Sequence, residues 1–168
     1  MKIRIAGTVN DSIVDGPGLR YVVFVQGCSH HCPGCHNPET WDFNGGKEVD
    51  THDLVREMLA NPLLSGLTLS GGEPFAQPEA AASLAFEARM NGMNVWCYTG
   101  YSWEELVKNG TKTKHALLCF VDVLVDGPFI QEQKSLDLDY RGSRNQRLID
   151  VQKSLDQGKV VLWTPEKW

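Results

Sequence analysis

No stretch of this chain is apolar for long enough to cross a membrane, which takes roughly 18 consecutive apolar residues. The N-terminus, MKIRIAGTVNDSIVDG, lacks the apolar block of a secretory signal and carries acidic residues early. The expectation is a cytoplasmic, reducing location with no membrane association. Positive charge is scarce as well. Sixteen Lys and Arg against 21 Asp and Glu leave a net charge of -5, without the basic surface that general nucleic-acid binding uses. Repeats, low-complexity tracts and Pro/Ser-rich linkers are missing. The 168 residues therefore read as one domain, 1–168, with a core large enough to fold alone. Five cysteines are an odd number in a chain that is not small, which argues against a disulfide framework.

What the chain does contain is an alternation of short apolar runs with helical stretches. Tyr21–Gln26 (YVVFVQ) is β-branched and aromatic and predicts a strand; Leu67–Ser70, Val95–Thr99, Val121–Asp126 and Val160–Trp163 read the same way, and Lys2–Ile5 is an earlier candidate. Asp53–Ala60 places Leu54, Val55, Met58 and Leu59 on one helical face, with Asp50 or Thr51 as N-cap. Pro78 opens a helix that Gly92 stops. Ser102-Trp-Glu-Glu105 is a capping box for a short helix ending near Gly110, and Asp150–Gln157 is a further helix closed by Gly158. Strands alternating with helices imply an α/β fold with a mostly parallel sheet and right-handed crossovers. In such sheets ligands collect at the C-terminal strand ends. Each internal strand is followed at once by unusual residues: GCSHHCPGCHN, then GGEP, GY and GPF. The chemistry is thus expected on one rim.

The loop Gly27–Asn37 carries Cys28, Cys32 and Cys35 as C-x-x-x-C-x-x-C, with no fourth cysteine beside them. Structural zinc takes four protein ligands; His30, His31 or His36 could supply a fourth, so a zinc-bound interaction module remains open. A [4Fe–4S] cluster fits better: cubane clusters take cysteine thiolates, usually four. Three leave one iron open to a ligand from a substrate. Gly71–Pro74 adds two glycines that allow close backbone approach and a glutamate that can accept from an amino group. Cys97 and Cys119 lie within apparent strands and read as buried core thiols.

C-x-x-x-C-x-x-C followed by GGEP resembles the radical S-adenosylmethionine (SAM) superfamily. Asp15-Gly-Pro-Gly-Leu-Arg20, Cys35-His-Asn37 and Thr40-Trp41 narrow the resemblance to glycyl-radical-enzyme activases. Tyr98-Thr-Gly-Tyr101, Asp122–Phe129 and Arg141–Arg147 (RGSRNQR) are similar to the branch that activates anaerobic ribonucleoside-triphosphate reductase. The resemblance runs from about Ile5 to Trp163. It implies a partial (β/α) barrel, a [4Fe–4S] cluster on Cys28, Cys32 and Cys35, and reductive cleavage of SAM to a 5′-deoxyadenosyl radical. That radical abstracts a glycine Cα hydrogen from the partner reductase. The resemblance also implies an external one-electron donor such as flavodoxin and an anaerobic setting.

The same resemblance gives Glu73, with the Gly71–Gly72 backbone, the SAM amino group. Thr99 and Asp126, at strand ends, become candidates for hydrogen bonds to methionine or ribose. Gly34 stands where the superfamily often has an aromatic residue, and His36 where related activases often have Tyr; the adenine contact is assigned to the loop backbone near His36. No histidine is implied as an iron ligand, and His30 and His31 read as solvated loop residues. Arg141, Arg144 and Arg147 could form a solvated segment, a SAM carboxylate contact or a docking surface. A radical SAM enzyme with a small-molecule substrate is the alternative reading.

Overall fold

Seven strands form one sheet in the computed structural model, which describes residues 1–165. The last three residues of the expected 1–168 domain lie outside the described residues. The strands are β1 (Lys2–Ser12), β2 (Arg20–Val25), β3 (Lys47–Asp50), β4 (Gly66–Gly71), β5 (Asn94–Tyr98), β6 (Val123–Asp126) and β7 (Arg147–Asp150). Their order is β3-β1-β2-β4-β5-β6-β7. β2, β4, β5 and β6 pair in parallel at the centre, while β1, β3 and β7 are antiparallel additions at the two sides.

Among the four parallel strands, β2, β4, β5 and β6, the chain order and the spatial order run together. Right-handed crossovers then place successive helices on one face, as in a partly closed α/β barrel. These helices are α1 (Thr51–Leu59), α2 (Pro78–Met90), α3 (Trp103–Asn109), α4 (Lys112–Cys119) and α5 (Val151–Gln157). Their starts follow the expected signals. Asp50 caps α1 by accepting from His52 N at 2.9 Å, and Asp150 caps α5 by accepting from Lys153 N at 3.1 Å. Ser102 and Glu105 form the reciprocal capping box of α3.

The sheet is apolar on both faces, but the two faces meet different partners. Tyr21, Val23, Leu67, Leu69, Val95, Cys97 and Leu124 pack under the helices against Met58, Leu84, Leu106 and Leu117. The opposite face carries Trp96, Val123 and Val125, covered by Tyr140 and Trp163 rather than by helices. Arg20 is buried on that side. It donates to Thr68 Oγ1 at 2.7 Å and to the carbonyls of Pro17 and Leu67 at 2.9 Å each. Burial lowers its pKa to about 10, so it stays charged at neutral pH. Thr68 in turn donates to the Asp15 carbonyl at 2.7 Å. Together they pin the Asp15–Pro17 segment over the sheet.

Several details depart from the sequence expectation. β1 is 11 residues long and reaches well beyond Ile5. β3 and β7 are short edge strands rich in charge, without the apolar run that marks a central strand. Val160–Trp163 contributes only an isolated bridge between Leu162 and Ile149, because Trp163 turns in to stack edge-on against Trp96 at 5.0 Å. Cys119 ends α4 and is exposed, neither in a strand nor in the core. Leu117 and Leu118 beside it mimic a strand run because they are where the short helix meets the core.

Candidate functional site

At the C-terminal ends of the parallel strands lies a cavity of about 390 Å³, within the usual range for small-ligand sites. Cys28, Cys32 and Cys35 line it, together with His36, Gly71, Gly72 and Thr99. These seven residues come from three separate strand ends, and the parallel topology brings them together. Glu73 and Asp126, also nominated from the sequence, are not part of the cavity wall.

The cysteine loop is held at both ends by main-chain bonds. Gly27 N donates to Thr40 O at 2.7 Å, and Cys28 N to Trp41 O at 3.2 Å. The Gln26 side-chain amide donates to the carbonyls of Glu39 and Asp42 at 3.0 and 2.7 Å, closing the loop from beneath. Between the second and third thiols, Cys35 N donates to Cys32 O at 3.0 Å. Asn37 N points at Cys35 Sγ at 3.4 Å, so one thiol already has a backbone donor. Burial pushes the Cys28 thiol above the ordinary cysteine range; a metal that binds there displaces the proton. Among the described residues, no three His, Cys, Asp or Glu side chains are gathered closely enough to hold a single metal ion. The three thiols instead line a shared space.

The turn after β4 meets the cysteine loop at backbone distance. Gly72 N donates to Val25 O and Glu73 N to Gly27 O, both at 2.8 Å. Gly71 has φ +94°, and a Cβ on Gly72 would lie 2.5 Å from Gly27 O. Both positions therefore exclude side chains, one by conformation and one by contact. The Glu73 carboxylate is 2% exposed and turned into the protein. Oε1 accepts from Gly100 N at 2.8 Å and Oε2 from Phe75 N at 3.0 Å, while Thr99 Oγ1 lies within 3.0 Å of both. His30 Nε2 stands 2.7 Å from Oε1, and this bond raises the histidine pKa. His30 is thus half-buried and bonded, not the solvated loop residue expected.

Asp126 ends β6 with its carboxylate directed at α3 and β7. It accepts from Trp103 N at 2.9 Å and from Arg147 Nε and a terminal nitrogen at 3.1 and 2.6 Å. Arg147 also reaches Glu104 at 2.8 Å, and both partners raise its pKa. The three arginines of RGSRNQR therefore have three fates. Arg147 is an ion-paired strut, Arg144 is exposed, and Arg141 lines the cavity. Arg141 donates to Gln146 O at 3.1 Å, but its Nε is buried without a partner. Sequence alone gave no way to choose among the three.

Thiols on a cavity wall, glycines that let main chain approach, and an arginine lining the same space fit an iron–sulfur cluster with a small ligand beside it. The family described as "4Fe-4S single cluster domain" matches residues 14–149, which makes this chain an iron–sulfur protein. Curated relatives narrow the class. The chain is 38% identical over 144 residues to the anaerobic ribonucleoside-triphosphate reductase-activating protein of Haemophilus influenzae, covering 80% of this chain and 89% of that one. It is 39% identical over 142 residues to the protein of the same name from Vibrio cholerae, with the same coverages. The enterobacteria phage T4 protein of that name is 37% identical over 142 residues, with 80% and 86% covered. The chain belongs to the family of anaerobic ribonucleoside-triphosphate reductase-activating proteins. Among solved structures, QueE from Escherichia coli matches at 16% identity and a TM-score of 0.47, covering 61% of this chain and 54% of that one.

Proposed function

We propose that this protein is a radical SAM activase that generates a glycyl radical on an anaerobic ribonucleoside-triphosphate reductase. The observation that carries the reading is the set of three cysteines, without a fourth, on the wall of one cavity at the strand ends. Cys28, Cys32 and Cys35 would hold a [4Fe–4S] cluster and leave one iron free for SAM. When bound, cluster and SAM together supply reductive cleavage of a carbon–sulfur bond and a radical that takes hydrogen from a glycine Cα. The chain's own residues bind, orient and exclude water.

In this reading the turn Gly71–Glu73 receives the SAM amino group, and the loop backbone near His36 receives adenine. Thr99 remains a candidate contact to methionine or ribose. Arg141, which lines the cavity, is assigned the SAM carboxylate. Asp126 acts indirectly, by fixing α3 and β7. The electron comes from an external donor such as flavodoxin. The setting is cytoplasmic and anaerobic, with neither nucleic acid nor membrane as partner.

The test combines the reduced protein, SAM and an anaerobic ribonucleotide reductase, followed by electron paramagnetic resonance. A glycyl doublet should appear on the reductase and collapse when the glycine α-hydrogen is replaced by deuterium. That deuterium should appear in 5′-deoxyadenosine. SAM cleavage without a doublet, alongside modification of a small molecule, transfers the assignment to a small-molecule radical SAM enzyme. One zinc and no sulfide per chain would instead make it a zinc-bound module.

A further inference from the structure

We propose that His30 is a positioning residue for the iron–sulfur cluster, tying the cysteine loop to the ends of β4 and β5 through the buried Glu73 carboxylate. This rests on the reading that Cys28, Cys32 and Cys35 hold the cluster.

One carboxylate gathers donors from three segments of the rim. His30 Nε2 comes from the cysteine loop at 2.7 Å, Phe75 N from the turn after β4 at 3.0 Å, and Gly100 N from the turn after β5 at 2.8 Å. The Thr99 hydroxyl adds contacts of 3.0 and 2.9 Å to the two oxygens. An ionised carboxylate offers about four lone-pair sites, and these donors occupy them. The Glu73 side chain is therefore engaged in holding the rim.

The histidine ring is fixed on its other sides too. Tyr101 meets it edge-on with centroids 4.7 Å apart, and a Cβ on Gly100 would lie 2.5 Å from its Cδ2. The loop is already anchored at its first residue, where Glu73 N donates to Gly27 O at 2.8 Å. His30 supplies a second anchor three positions on, between Cys28 and Cys32. Two fixed points on a short segment restrict where both sulfurs can stand. The neighbouring His31 has no such anchor: it is exposed and stacks on Trp41 at 4.6 Å. The bond needs only a neutral ring whose Nε2–H donates, so no charge on the histidine is required. Residues behind metal ligands typically change metal affinity by about 10- to 100-fold when removed.

The experiment compares H30A, H30Q and C28A with the parent chain. Each is reconstituted anaerobically with iron and sulfide. Iron content, the spectrum of the reduced cluster and the rate of iron loss to a ferrous chelator are then measured. Hydrogen exchange of residues 28–32 and 100 is measured on cluster-free protein. H30A should lose iron about tenfold faster or more, with faster exchange in both segments. H30Q, whose side-chain Nε2–H can reach the same acceptor, should restore both readings. The proposal is overturned if H30A matches the parent chain, or if H30Q is as impaired as H30A. C28A tests the underlying reading separately: a full cluster in C28A removes the three-cysteine assignment itself, whatever His30 does.

Discussion

Cys97 and Cys119 separate from the other thiols by surroundings rather than by chemistry. Cys97 is fully buried under the helices, where burial holds its thiol well above the ordinary range. Cys119 is exposed at the end of α4. Alanine at Cys28, Cys32 or Cys35 is expected to abolish cluster assembly, whereas C97A and C119A should retain iron and sulfide at the parent ratio. Metal and sulfide analysis after anaerobic reconstitution checks this, and iron loss in C97A alone would contradict the three-ligand assignment. Arg141 gives a second residue-scale prediction. R141A should retain the cluster's absorption but bind SAM more weakly. One lost hydrogen bond to a charged group is worth roughly 1.5–3 kcal/mol, or about 10- to 150-fold in affinity. Equilibrium dialysis under anaerobic conditions, with the cluster left unreduced so that SAM is not cleaved, measures it, and unchanged affinity would place the SAM carboxylate elsewhere.

The turn after β4 works as an element because Gly71 and Gly72 bring bare main chain up to the cysteine loop. Gly72 faces Gly27 O at a distance that admits no Cβ, and its own N–H donates to Val25 O at 2.8 Å. In G72A the two segments must move apart. Forced overpacking of this kind costs about 1–3 kcal/mol, which lowers Tm by roughly 3–9 °C in a chain of this size. The substitution should also slow cluster assembly, since the displaced segment carries Cys28. A thermal melt and a reconstitution time course test both effects. A variant that melts with the parent chain would show that the loop can retreat without cost.

Across the whole molecule, the parallel centre and the rim differ in how they are held. β2, β4, β5 and β6 are covered by helices on one face, and Tyr140 and Trp163 pack over Trp96, Val123 and Val125 on the other. The cysteine loop is held by a few bonds at its ends and at His30, and has exposed residues beyond that anchor. Local opening costs least where buried apolar contact is sparse. Hydrogen exchange should therefore be slowest in the four central strands and fast across residues 33–39 in cluster-free protein, beyond the His30 anchor, with the loop slowing once the cluster is assembled. Loop amides as protected as the strands before assembly would mean that the site is fully preformed.

The local signals carried most of the architecture. Caps at Asp50, Ser102 and Asp150, the stop at Gly92 and the β-branched runs each act over a few residues, so the sequence alone determined the parallel centre and the rim. The spacing of Cys28, Cys32 and Cys35 is just as local, as is the paired-glycine turn after β4. Edge strands β3 and β7 were hidden because edges need no continuous apolar run, and α4 because its buried leucines are adjacent rather than spaced by a turn. Only the tertiary structure decided which arginine of RGSRNQR faces the cavity, that Asp126 is claimed by Arg147 and α3, and that His30 reaches Glu73 across 43 positions of chain. Those outcomes depend on where strand ends from distant parts of the chain meet. A side chain's partner is then set by the packing of the whole sheet, which no short window of sequence contains.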